Sequence, residues 1–242
     1  MQHLNAKISW LLTALLLSAG CGKSDHSAPA SAPRPVAAGA GIISGQVLFS
    51  APPPPPGKIV SPPGYWAQVT DETAVVNPNG TLKNVLVYLK DAPPGDGGGP
   101  AVLLDQQNAH FIPHVLALQV GQPLVIRNSD SHIHSVHLKC AVNPEMNFSM
   151  MDKGEHDPII FKAPEFFQIR CDVHPWMDAE VGVFDHPYFA VTGDDGSFTI
   201  NNIPPGTYTL AARHELYGEL TQSVTVADKQ TATANFQYAP PK

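Results

Sequence analysis

From residue 41 onward, apolar and polar residues alternate in short bursts cut off by Gly and Pro, the period-2 pattern of half-buried strands. Gly41 to Phe49 reads as an opening strand. In the run from Leu82 to Leu89, Val85, Val87 and Leu89 share one face. Phe111 to Val120 leads into a turn at Gly121, and the apolar residues around Val125 and Ile126 give way to a polar turn. A further strand opens at His134, Ser135 and Val136. Near the C-terminus, Asp195-Gly196 and Pro205-Gly206 turn the chain into strands around Phe198 to Ile200 and Tyr208 to Leu210. Val224, Val226 and Phe236 mark the last two. No helix of length is expected. The fold class is all-β.

The N-terminus follows another pattern. Lys7 precedes an apolar run from Ile8 to Leu17, too short to span a bilayer and of the length of a signal-peptide core. The stretch Leu17-Ser18-Ala19-Gly20-Cys21 resembles the bacterial lipobox, except that Ser18 stands where Leu is usual. That resemblance implies a signal peptide over residues 1–20 and a lipid on Cys21; an ordinary secreted precursor is the alternative. The Ser, Ala and Pro that dominate up to Ala40 cannot bury a core, so residues 21–40 read as a flexible tether. Gly22 stands where an Asp often signals inner-membrane retention, which points to the outer membrane, facing the periplasm. The membrane would be met through this anchor only.

Composition narrows the partners. Removing residues 1–20 takes away Lys7 and moves the formal charge from −7 to about −8. There is no basic cluster, which argues against nucleic acid. A charged fraction of 14% together with 25 prolines suits a turn-rich, exported β-protein.

The chemistry concentrates in one loop, Cys171-Asp172-Val173-His174-Pro175-Trp176-Met177. A thiolate, an imidazole and a thioether in C-x₂-H-x₂-M spacing, joined by a second histidine, make the donor set of a blue-copper site. Zinc would need further ligands, and the chain has no second C-x₂-C or H-x₃-H pair; haem attachment lacks its C-x-x-C-H. Arg170 and Asp172 flank the cysteine where copper oxidases and nitrite reductases carry His. Of three cysteines, Cys21 is spoken for by lipid, so Cys140 is either a buried thiol or the disulfide partner of Cys171.

The upstream segment, with Asn128 six residues before a His134-x-Val136 strand start, resembles that of plastocyanin- and amicyanin-type cupredoxins. The resemblance covers roughly residues 101–186. It implies a Greek-key β-barrel or sandwich holding one type 1 copper, with His134, Cys171 and His174 as strong ligands and Met177 axial. His132, on the same strand face, is the rival to His134. It further implies that His174 reaches the surface as an electron port ringed by Pro175 and Trp176, although Trp176 could equally pack in the core. Many relatives place Asn after the upstream His. Ser135 stands there with a shorter reach, which predicts a looser tie to the cysteine loop or one through water. Asp172 either lowers the reduction potential from close range or points to solvent.

The stretch from Asp194 to Ala212 resembles the second half of a carboxypeptidase regulatory-like (transthyretin-like) β-sandwich. Its first half is expected in residues 41–92, its second in 187–238, with the cupredoxin-like region 101–186 inserted through a flexible link over residues 92–100. The simpler alternative is one enlarged cupredoxin followed by a short β-module. Such pairings resemble bacterial envelope proteins described as methylamine-utilisation-like, a label that fixes no substrate. Electron transfer with redox partners in the cell envelope is the leading functional expectation. Copper trafficking, with Met146, Met150 and Met151 assisting, and a structural or partner-binding role are the alternatives. No nucleophile–base pair or second metal centre suggests an enzyme. The remaining histidines, His110, His114, His156, His186 and His214, show no convergent pairing.

Overall fold

The computed structural model describes residues 39–51 and 58–240. Cys21, the signal segment and the tether up to residue 38 lie outside the described residues. The regular elements are strands: Gly41–Phe49 (β1), Leu86–Leu89 (β2), Val102–Gln107 (β3), His110–Ile112 (β4), Val115–Gln119 (β5), Pro123–Asn128 (β6), His134–Leu138 (β7), Met146–Met150 (β8) and Gly154–Glu155 (β9). They continue with Ile159–Ile160 (β10), Glu165–Arg170 (β11), Asp178–Phe184 (β12), Phe189–Val191 (β13), Ser197–Ile203 (β14), Gly206–His214 (β15), Gly218–Val226 (β16), Thr231–Thr233 (β17) and Phe236–Tyr238 (β18).

Strand pairing separates an inner and an outer lobe. The inner lobe holds the sheets β10-β6-β3-β4, with β9 also on β6, and β5-β12-β11-β7-β8. Between them lies a core of Leu104, Phe111, Leu118, Ile126, Leu138, Ile169 and their neighbours. In the outer lobe, β1 pairs with β14, β17 and β18, while β2 lies between β13 and β15, with β16 beyond. Its core joins Ile43, Val47, Val85, Val87 and Leu89 to Phe198, Ile200, Leu210 and Phe236. Two strands from before the inner lobe thus share sheets with strands from after it. Gly45 makes one of these pairings possible. Along β1 the neighbour changes from β17 to β18, and at the crossing a Cβ on Gly45 would stand 1.6 Å from the Ala234 carbonyl oxygen.

The lobes meet along a seam. Val85, Val87 and Leu89 face the outer core, as their spacing predicts, while Leu86 and Tyr88 on the opposite face pack against Val115, Phe184 and Ala211. Strand β2 is therefore buried on both sides, which explains its nearly continuous apolar sequence. Burying each such side chain contributes roughly 1.5–3 kcal/mol. A buried pair adds to the seam: His114 Nε2 lies 2.5 Å from Glu215 Oε1 in the turn after β15. This is a pairing that the isolated histidines did not announce. The 92–100 link is held in place rather than free: the Gly95 N–H donates to the Asp185 carbonyl at 2.7 Å and that of Gly98 to Val120 at 2.8 Å. Entry to and exit from the inner lobe therefore run side by side.

One segment departs from the sequence expectation. Residues 60–69 fall within the stretch assigned to the outer lobe, yet Val60, Tyr65, Ala67 and Val69 pack on the inner core.

Candidate metal centre

Asn128 ends β6, and its side chain builds the turn that delivers His134. Its Nδ2 donates to the His132 carbonyl at 3.0 Å, and its Oδ1 accepts from the Asp130 N–H at 3.0 Å. Asp130 is buried, with its carboxylate accepting from the amides of Asn108 (2.8 Å) and Ala109 (3.0 Å). The same carboxylate meets His134 Nε2 at 3.0 Å. A carboxylate can only accept here, so the Nε2 of His134 carries a hydrogen and Nδ1 is turned to the interior. His132 does not share this position. It is exposed and stacked on Trp66 at 4.2 Å, so His134 is the histidine that enters the cluster.

Cys171 and His174 come from the loop between β11 and β12. The Cys171 N–H donates to the Met177 carbonyl at 3.0 Å and the Met177 N–H to the His174 carbonyl at 2.9 Å. This tight closure turns the sulfur and the imidazole toward the same point. His134, Cys171 and His174 form a cluster that could hold a metal ion, with one donor atom from each lying within 4.8 Å of the others. The two Nδ1 atoms are 3.0 Å apart, and Cys171 Sγ is 3.6 Å from His174 Nδ1. Exposures of 0%, 3% and 7% put all three out of bulk water. Met177, 1% exposed, is buried in the same core as Cys171.

The electrostatics suit a cation. Burial alone would raise the Cys171 thiol, but the His134 hydrogen bond and the amides of Ser135, His174 and Val173 outweigh it and hold the thiol low. Burial would lower His134, but Cys171 and Asp130 hold it above the usual imidazole range. Burial, followed by repulsion from His134, pushes His174 down to about 4. The cluster thus eases loss of the proton from Cys171 and keeps the His174 imidazole neutral. A soft or borderline metal ion fits two nitrogens and a sulfur that meet in this way.

The surroundings settle several expectations. Ser135 ties β7 to the loop directly: its Oγ accepts the Asp172 N–H at 2.6 Å, and its own N–H points to Cys171 Sγ at 3.4 Å. Asp172 faces outward, bonded to Asn147 Nδ2 at 2.7 Å and His137 Nδ1 at 3.2 Å. Cys140 and Cys171 are both free thiols. Cys140 is half-buried, with burial and then the nearby Glu165 and Glu145 carboxylates pushing it up to about 12. Met150 is buried beside Gln106, Met146 packs on the core and only Met151 is largely exposed.

The expected port is partly covered. Pro175 is exposed, but the outer edge of His174 is covered: its Nε2 is hydrogen-bonded to the Tyr65 hydroxyl. Trp176 is half-buried, edge-on to Tyr65 at 5.1 Å. Asp130 and Tyr65 were both missed from sequence. An acid within the Ser129-Asp130-Ser131 turn was a visible signal for the first. For the second, only an aromatic pair after Pro62-Pro63-Gly64 was available.

A family model described as the carboxypeptidase regulatory-like domain matches residues 174–239. The match starts inside the loop between β11 and β12 and leaves out β1 and β2. No match was found among curated proteins. Among solved structures, the chain is similar to a copper-containing nitrite reductase from Thermus scotoductus SA-01, at 18% identity and a TM-score of 0.33. That match covers 36% of this chain and 23% of the reductase chain. It is also similar to a Cu(I) amicyanin variant, at 20% identity and a TM-score of 0.31 over 40% of this chain and 97% of amicyanin. A purple cupredoxin from Nitrosopumilus maritimus matches at 18% identity and a TM-score of 0.29, over 34% of this chain and 97% of its own. At these scores the reading of the site rests on its own geometry.

Proposed function

We propose that the inner lobe is a cupredoxin holding one type 1 copper and that the protein is an electron carrier of the bacterial envelope. The observation that carries this reading is the buried convergence of Cys171 Sγ with the two imidazole Nδ1 atoms. His134, Cys171 and His174 would hold the metal, with Met177 as a weaker sulfur donor. Bound copper would supply a one-electron couple, the thiolate favouring Cu(I) and the imidazoles keeping Cu(II) accessible. The protein's part is to keep the donors in place: Asp130 orients His134, and Ser135 ties β7 to the cysteine loop.

Exposed apolar residues Ile133, Val173 and Trp66 lie beside the ligands in sequence or space, and with Pro175 they offer a docking collar for a redox partner in the envelope. Cys21 would carry the lipid, on the periplasmic side of the outer membrane. A shuttle that hands copper on would use accessible methionines, and the packing of Met146 and Met150 into the core weighs against it. Cyclic voltammetry tests the carrier reading. It predicts a reversible one-electron couple, raised by Met177→Leu and lowered by Met177→Gln, because the axial donor stabilises Cu(II) more than Cu(I). Unchanged potentials in both variants would remove Met177 from the ligand set.

A further inference from the structure

The segment between β1 and β2 acquires a role that neither the metal motif nor the sandwich strands give it. Val60 and Val69 are paired backbone to backbone at 2.8 Å, and Ser61 Oγ accepts the Val69 N–H at 3.1 Å. The Tyr65 N–H donates to the Pro62 carbonyl at 3.1 Å, which closes a turn. These bonds pin the Pro-Pro-Gly-Tyr-Trp turn over the metal loop. At its tip the Tyr65 hydroxyl is hydrogen-bonded to His174 Nε2, and its ring stands edge-on to His174 at 5.6 Å. Beside it, Trp66 lies flat on His132, with an interplanar angle of 3°. The outer face of His174 is therefore closed by a segment that belongs in sequence to the other lobe's half of the chain.

The direction of this hydrogen bond follows from the ligand role of His174 Nδ1. His134 Nε2 is committed as donor to Asp130, and His134 Nδ1 faces His174 Nδ1 at 3.0 Å. To give that nitrogen to a metal, His174 must carry its own hydrogen on Nε2. The Tyr65 oxygen is placed to accept it.

We infer that Tyr65 is a positioning residue for the metal ligand His174: its hydroxyl accepts the Nε2–H, holds the tautomer that leaves Nδ1 bare toward Cys171 and His134, and closes the imidazole edge to water. The role rests on the copper reading of the cluster. The site is then complete only with a piece of chain from outside the inner lobe's own strands. Electrons crossing to a partner would leave past Tyr65 and Trp66 instead of through a bare imidazole edge.

The test uses the full chain, purified in detergent, as wild type and as Tyr65→Phe, which removes the hydroxyl but keeps the ring packed on Trp176. Nitrogen-15 NMR of the metal-free wild type should show His174 as the Nε2–H tautomer, with the signal assigned by its loss in His174→Gln. In Tyr65→Phe the tautomers should mix. Copper competition against a Cu(I) chelator should show roughly 10-fold weaker binding in Tyr65→Phe, the scale of losing a partner behind a ligand. A wild type with the Nδ1–H tautomer overturns the role without any variant. Wild type and Tyr65→Phe that bind copper equally, with the same tautomer, overturn it while leaving the copper reading intact. A wild type that takes up no copper overturns the copper reading and this role with it.

Discussion

Ser135 Oγ accepts the main-chain N–H of Asp172 at 2.6 Å, joining the strand that carries one imidazole to the loop that carries the thiolate. The same residue's N–H approaches Cys171 Sγ at 3.4 Å, so one short side chain and its amide hold both parts of the His/Cys/His cluster in register. Ser135→Ala should cost about 1 kcal/mol in folding stability through the lost hydroxyl bond. Copper affinity should fall by about 10-fold, because the cysteine loop loses its side-chain tie to β7 while the ligands remain. Urea unfolding and chelator competition measure the two effects separately. An affinity equal to wild type would show that the tie does not reach the metal.

The seam between the lobes should depend on pH through His114 and Glu215. Burial alone would lower His114, yet the Glu215 carboxylate, aided by Asp178 and Glu72, more than reverses this and lifts it to about 9. A raised folded-state value means that the charged imidazole stabilises the fold. That contribution is complete below the unfolded value of about 6.5 and is lost as pH rises through about 9. Glu215→Gln should cost about 3 kcal/mol near pH 6, since it leaves a buried imidazole without its partner. The gap from wild type should narrow toward pH 10. Unfolding curves across that range check this, and a constant gap would mean that the pair is not the source.

Membrane attachment is expected to rest on Cys21. Cys21→Ala should move the protein from the membrane to the soluble fraction, since a lipid-modified cysteine is the anchor implied by the N-terminal sequence. Cell fractionation decides it, and tight membrane association of the variant would refute the lipobox reading.

Much of the site was legible because its chemistry is local. Cys171, His174 and Met177 sit within one loop, and period-2 alternation placed His134 at the start of a strand. Val85, Val87 and Leu89 likewise showed their inward face in the pattern of the run. Tyr65 could not be read in this way. It meets His174 across 109 positions, and a Pro-Pro-Gly turn followed by aromatics has the composition of any surface loop. Asp130 looked like turn chemistry until the amides of Asn108 and Ala109 were seen to hold it against His134. His114 and Glu215 come together only because the lobes pack, an event with no signature in either local sequence. The flexible composition of residues 92–100 was misleading for a similar reason: its glycines allow the turns, and backbone bonds to Asp185 and Val120 then hold them.

The most direct measurement is a titration of the full chain with one equivalent of Cu(II), followed by visible absorption and EPR, for wild type, Cys171→Ser and Cys140→Ser. The copper reading predicts one bound ion with an intense blue or green thiolate absorption in wild type and in Cys140→Ser, and none in Cys171→Ser. A colourless wild type, or colour lost with Cys140 and kept without Cys171, would contradict it.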